Sequence, residues 1–236
     1  MRSYLLILLI SISFTTQSEN LSFISHSSRT PLLELFSSQG CSSCPPAERW
    51  VSKLKSHPGL WNDFIPLVYH VDYWDYLGWK DVFSQKIFSL RQRAYHHQGV
   101  IKSVYTPGII YDGKEWREWY RNSKPPSTAN EAGILSATIY GNQLKVKYHS
   151  NRTLQLNIAL LGFDLKSNVT SGENSGRNFT EDFIVLNLSS ALSDNGEWQM
   201  KINTHDKNNA KRYAIAIWIN EPDALKPLQA VGGWLQ

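Results

Sequence analysis

Five runs in the C-terminal half of the chain alternate apolar and polar residues with a period of two. They are Leu144, Val146 and Tyr148; Leu154, Leu156, Ile158 and Leu160; Ile184, Leu186 and Leu188; Trp198, Met200 and Ile202; and Ile215, Ile217 and Ile219. Successive side chains of a strand point to opposite faces, so this spacing builds sheet and excludes an amphipathic helix. Turn signals at Gly141-Asn142 and Asp194-Asn195-Gly196 separate runs as in an antiparallel sheet or small sandwich. Ahead of them lies the polar, proline-rich stretch Lys124-Pro125-Pro126-Ser127-Thr128, which reads as a linker. A smaller β-rich domain is therefore expected over 125–236.

The N-terminal half has a different pattern. Leu32 to Phe36 is a short apolar run that leads into Ser37-Ser38-Gln39-Gly40, a strand feeding a loop. Glu48, Trp50, Val51, Leu54 and Lys55 then keep helical spacing up to His57-Pro58-Gly59. Ile65 to Val71 has strand length and β-branched content. Strand, helix, strand favours a right-handed crossover and a parallel pair. An aromatic and acidic loop, Asp72 to Asp81, precedes a helix expected to be capped by Ser84 and to run to about His97 before Gly99. Its apolar stripe is expected at Ile87, Leu90, Ala94 and either Phe88 or Tyr95. Thr106-Pro107 opens the run Gly108 to Tyr111, which turns at Asp112-Gly113 as a hairpin does.

Residues 1–18 read as a signal peptide, because Arg2 is followed by an apolar run from Leu5 to Phe14 that is too short to span a bilayer comfortably. The rest, 19–236, holds no second apolar run of spanning length, so a secreted or periplasmic protein with no membrane span in its mature chain is expected. A net charge of +4, with Lys and Arg scattered along the chain, argues against nucleic acid as a partner.

The stretch Gly40-Cys41-Ser42-Ser43-Cys44-Pro45-Pro46 holds both cysteines of the chain. As a staple the pair is poor, since the entropy a disulfide removes grows with the loop it closes, and two intervening residues enclose little. As half of a structural zinc site it lacks partners with paired ligand spacing among His26, His57, His70, His96, His97, His149 and His205. As a redox pair it accounts for its neighbours. Proline is tolerated only in the first turn of a helix, so Pro45 and Pro46 fix a helix start just behind the cysteines. There the unpaired amides and the helix dipole favour thiolate. Lowering a thiol from about 8.5 to about 7 takes roughly 2 kcal/mol. Cys41 is the expected attacking thiol and Cys44 the resolving one. Thr106 and Pro107, opening a strand beside them, are where a cis peptide would free backbone polar groups for a substrate chain.

The strings LLELFSSQGCSSCPPAE, HVDYWDYLGWKD, RQRAY, VYTPGIIYDG and GENSGR resemble the secreted bacterial proteins grouped as domain of unknown function 1223. The resemblance implies an α/β thioredoxin-like N-terminal domain over 19–124, a smaller β-rich domain behind it and export to a periplasm. Mapped on the thioredoxin pattern, Cys41 and Cys44 match the attacking and resolving cysteines and Pro107 the cis-proline. Glu34 lies on the strand where thioredoxins bury an acid, offset by up to a residue.

The expected activity is thiol–disulfide exchange through a mixed disulfide with protein or small-molecule thiols. It needs no cofactor and no metal beyond an external electron donor or acceptor. Two other readings stand beside it: a noncatalytic binding module with a structural disulfide, and a copper-handling protein using both thiolates.

Overall fold

The computed structural model describes residues 20–121, 124–126, 130–204 and 210–235. The expected signal peptide lies outside them, as do Ser127 and Thr128 of the expected linker. Strand β1 (Leu21–Ile24) is followed by β2 (Leu32–Ser37), helix α1 (Pro45–Lys53), β3 (Ile65–His70), helix α2 (Lys86–His97) and the hairpin strands β4 (Gly108–Tyr111) and β5 (Lys114–Glu115). Then come β6 (Leu135–Tyr140), β7 (Gln143–Tyr148), β8 (Leu154–Phe163), β9 (Leu165–Asn168), β10 (Asn178–Glu181), β11 (Ile184–Ser193), β12 (Glu197–Lys201), β13 (Arg212–Asn220) and β14 (Gln229–Leu235).

The strands expected from the sequence are present, with β1, β6, β9, β10 and β14 in addition, but they assemble differently. Eight of them form one sheet in the order β14-β13-β8-β11-β3-β2-β4-β5. Within it β2 and β3 are parallel, as expected, and so are β3 and β11, through Ile184 opposite Val68. This corrects the fold class. An α/β thioredoxin-like N-terminal domain set beside a separate β-rich one does not form. Instead strands from both halves share one mixed sheet, and the described residues hold only two short α-helices. The reason lies in β3, where every residue is buried. A strand covered on both faces cannot leave its outer N–H and C=O groups unpaired, so β11 completes it, with Val68 N donating to Phe183 O at 2.9 Å.

The remaining strands make a four-stranded sheet, β1-β6-β7-β12, and the β9/β10 pair. In the four-stranded sheet the alternation is clean: β6 buries Leu135, Ala137 and Ile139, and β7 buries Leu144 and Val146. The Asp112–Gly113 turn of the β4/β5 hairpin has φ of +50° and +75°, the pair of left-handed residues that a two-residue hairpin needs.

Parity along the parallel strands decides where the helices sit. Ser37 and His70 are register partners and meet Glu48 of α1. Phe36 and Tyr69, one residue earlier, stack on each other and touch Tyr95 and Phe88 of α2 respectively. Since neighbouring residues of a strand face opposite ways, α1 and α2 cover opposite faces of the β2/β3 pair.

Helix α2 differs from expectation at its start and in its buried stripe. It begins after Gln85, and the Ser84 hydroxyl instead donates to Asp75 Oδ2 at 2.9 Å. Ile87 and Leu90 are exposed, while Phe88, Ser89, Gln92 and Tyr95 are buried. Polar partners set this face: Ser89 bonds Asp72, and Gln92 bonds the Tyr73 hydroxyl and the Tyr105 carbonyl.

Candidate functional site

The loop after β2 delivers both cysteines to the start of α1. Pro45 and Pro46 occupy its first turn, and the Cys44 carbonyl accepts the amides of Ala47 at 2.9 Å and Glu48 at 3.2 Å. Cys41 and Cys44 form a disulfide with their Cα atoms 5.5 Å apart. The intervening Ser42 and Ser43 are exposed, but Cys41 is only 1% exposed and Cys44 is fully buried. Cys41, the expected attacking thiol, is thus enclosed almost as fully as Cys44.

A turn from the C-terminal half lies over the pair. Asn174 Nδ2 donates to the carbonyls of Gln39 at 2.8 Å and Cys41 at 2.9 Å. Ser42 N donates to Glu173 Oε2 at 3.1 Å, and hydrogen bonding from the Ser42 side chain and this amide lowers the Glu173 pKa below its ordinary value. Gly172 has φ of +73°, and a Cβ there would come within 3.2 Å of Trp79 Cβ, so glycine lets the turn settle against the chain at Leu77 to Trp79. The GENSGR string thus covers the CxxC. The chain order separates the two by some 130 residues, which is why the sequence alone leaves its role open.

The Thr106–Pro107 peptide is cis. Gly108 pairs with Phe36, which puts Pro107 at the end of β2 that feeds the cysteine loop. Trp74 joins the two: its Nε1 donates to Thr106 Oγ1 at 2.8 Å, and its Cβ lies 3.1 Å from where a Cβ on Gly40 would sit. Cys41, Cys44, Thr106 and Pro107 are therefore gathered at one end of the sheet. Glu34 is not with them. It accepts bonds from Arg91 Nε at 2.6 Å and from the Tyr95 hydroxyl on the α2 face, away from α1.

Behind α1 the structure assembles a buried polar cluster that the sequence reading missed. His70 is fully buried, and its Nδ1 is 2.7 Å from Asp81 Oδ2. Its Nε2 points between Glu48 Oε1 at 3.7 Å and Glu181 Oε1 at 3.9 Å, and it has no hydrogen-bond partner among the described residues. Donors orient each acid. Ser37 donates to Glu48; Gln39 Nε2 donates to both oxygens of Glu181, and Ser167 to one of them. The amides of Gln39 and Phe83 donate to Asp81.

Burial works against charge on His70, yet Asp81 first, then Glu48 and Glu181, outweigh it and push the imidazole up to about 10. Burial, together with Glu48 and Asp81, pushes Glu181 up to about 8 against the pull of His70. Asp81 stays below its ordinary value in spite of burial, because His70 and the two amides favour its charged form. Glu48 lies one helical turn beyond Cys44, and that spacing was legible. Glu181 comes from β10, which the sequence gives no reason to place here.

Glu48 also opens outward. With Pro45, Arg49, Arg177 and Thr180 it lines a cavity of about 520 Å³. No described helix is long and apolar enough to cross a membrane.

Comparison with known proteins adds fold and family. No curated protein sequence matches the chain. Among solved structures, protein AGR_C_4864 from Agrobacterium tumefaciens is similar with a TM-score of 0.62 and 22% identity, over 89% of this chain and 96% of that one. HBP35 of Porphyromonas gingivalis is similar with a TM-score of 0.57 and 13% identity, over 89% of this chain and 76% of that one. At such identities the likeness is one of fold. The family described as Protein of unknown function (DUF1223) matches residues 32–220, from the first strand of the large sheet to the end of β13, and the chain belongs to that family.

Proposed function

We propose that the chain is a thiol–disulfide oxidoreductase of an oxidising compartment outside the cytoplasm, with Cys41 and Cys44 as its working pair. The observation that carries this reading is a disulfide that closes only the N-terminal mouth of α1. Four residues of loop give it little to contribute as a staple. The helix start supplies amide donors and a positive dipole end for a thiolate. Thr106 and Pro107 stand at the same end of the sheet.

In the reducing direction, the Cys41 thiolate attacks a partner's disulfide, and one partner sulfur leaves as thiolate. Cys44 then attacks Cys41 Sγ in the mixed disulfide, and the second partner sulfur leaves. Two electrons pass to the partner, the Cys41–Cys44 bond re-forms, and an external dithiol restores the pair. Protein or small-molecule disulfides serve as partners, and the exchange needs no bound cofactor.

The burial of both cysteines favours a second reading, in which the bridge only shapes the turn. Two measurements separate them. The Cys44→Ser variant should trap mixed disulfides in extracts of the source compartment, and the bridge should equilibrate with glutathione near that compartment's poise. A bridge that stays oxidised far below that poise, with no trapped partner, leaves only the staple.

A further inference from the structure

Two carboxylate oxygens and the buried, unpartnered imidazole nitrogen of His70 converge behind α1. Glu48 Oε1, His70 Nε2 and Glu181 Oε1 come from a helix and two strands, and the ligand atoms offered by these three residues all lie within 4.8 Å of one another. With the Nε2 proton of His70 displaced, a carboxylate–imidazole–carboxylate set of this kind offers a cation three ligand atoms. We propose that Glu48, His70 and Glu181 bind one divalent first-row transition-metal ion, for which zinc(II) is the natural probe, with a fourth position facing the cavity beside Glu48.

The dimensions suit such an ion. Zinc bonds to nitrogen and oxygen of about 2.1 Å set the edges of a tetrahedron at about 3.4 Å. The observed 3.7 Å and 3.9 Å separations from His70 Nε2 need to close by only a few tenths of an ångström. One imidazole with two carboxylates is a donor set that zinc, iron(II) and manganese share. The outer shell is built as well. Asp81 holds His70 through Nδ1 and so aims Nε2 inward, the carboxylate–histidine arrangement that orients metal ligands. Ser37, Gln39 and Ser167 fix the two carboxylates. Entry is through Glu48, whose side chain keeps 13% of its surface exposed and lines the 520 Å³ cavity. The cysteines are not part of the donor set, so the site stands apart from the redox pair even though one helix carries parts of both.

The test is zinc titration of the chelator-treated full chain by calorimetry, with cobalt(II) absorption as a report on coordination geometry. The wild type should take up one equivalent and show a tetrahedral cobalt spectrum. Glu48→Gln and Glu181→Gln, which keep side-chain volume, should each weaken binding at least about tenfold, and the double variant should abolish it. Asp81→Asn, which leaves all three ligands in place, should weaken it by about 10- to 100-fold. The Cys41→Ser, Cys44→Ser double variant should bind zinc like the wild type. No uptake by the folded wild type, unchanged affinity in Glu48→Gln/Glu181→Gln, or loss of binding with the cysteines would each overturn the proposal. Circular dichroism of every variant excludes a fold defect as the source of a loss.

Discussion

If Cys41 and Cys44 exchange disulfides, the turn that covers them must lift, and Asn174 sets how often it does. Its amide nitrogen is the donor for two backbone carbonyls of the cysteine loop, those of Gln39 and Cys41. A neutral hydrogen bond contributes about 1 kcal/mol net, so Asn174→Ala removes about 2 kcal/mol from the closed arrangement. The Asn174 Oδ1 is buried without a partner among the described residues. Its removal relieves part of that loss. With tenfold per 1.4 kcal/mol, the open population should rise between about tenfold and 30-fold. The assay is the rate at which a small dithiol reduces the Cys41–Cys44 bond under native conditions, with reductant dilute enough that the turn recloses faster than it is attacked. The rate then follows the open population. Thermal unfolding of the same variant supplies the control, because a local opening accelerates reduction far more than the change in global stability accounts for. A rate within about threefold of the wild type refutes the lid. So does an acceleration that merely tracks the loss of global stability.

Two further outcomes test what surrounds the site. Arg91→Leu strands Glu34, a fully buried carboxylate, with Tyr95 as its remaining partner, and should cost about 3–5 kcal/mol in urea unfolding. The Glu34→Leu/Arg91→Leu double variant should recover much of that, and neither variant should move the glutathione midpoint, since Glu34 faces α2. Lys55 binds Asp164 at 3.0 Å and the buried Asp182 at 2.7 Å, so Lys55→Met should cost about 1–2 kcal/mol at neutral pH. Lys55 bonding holds Asp164 below 3.8 despite burial, so this stability is present above 3.8 and is lost as acid protonates the carboxylate. The two aspartates raise Lys55 above 10.5 in spite of burial, so the stability is also lost as alkali deprotonates the amine. The difference between wild type and variant in denaturant unfolding should therefore be flat between those limits and shrink beyond each.

How much of this was legible in the sequence depends on whether the signal was local. Pro45 and Pro46 place the start of α1 because proline's missing N–H is a property of two adjacent residues, and the Asp112–Gly113 turn is legible for the same kind of reason. The positions of β7, β8, β11, β12 and β13 were legible from alternation. Their assembly was not, because nothing in the period of Ile184 to Leu188 says that its neighbour across the sheet will be Val68 rather than another strand of its own half. That pairing follows from the burial of β3 on both faces, and burial is a property of the finished fold. Errors in the side chains of α2 have the same origin. Apolar periodicity favoured Ile87 and Leu90, yet the helix turns Phe88, Gln92 and Tyr95 inward because Tyr73, Tyr105 and Glu34 offer partners there. The candidate sites follow this division. Cys41 and Cys44 sit three residues apart and could be read directly. His70 looked like the last residue of an apolar strand, and Glu181 like a polar residue between two β runs. Only the β3–β11 pairing brings β10 against α1 and sets Glu181 beside His70 and Glu48. Local patterns in such a chain identify a site formed within one helix turn, whereas a site closed by a long-range strand pairing has to be sought in unsatisfied buried atoms, and His70 Nε2 is that atom here.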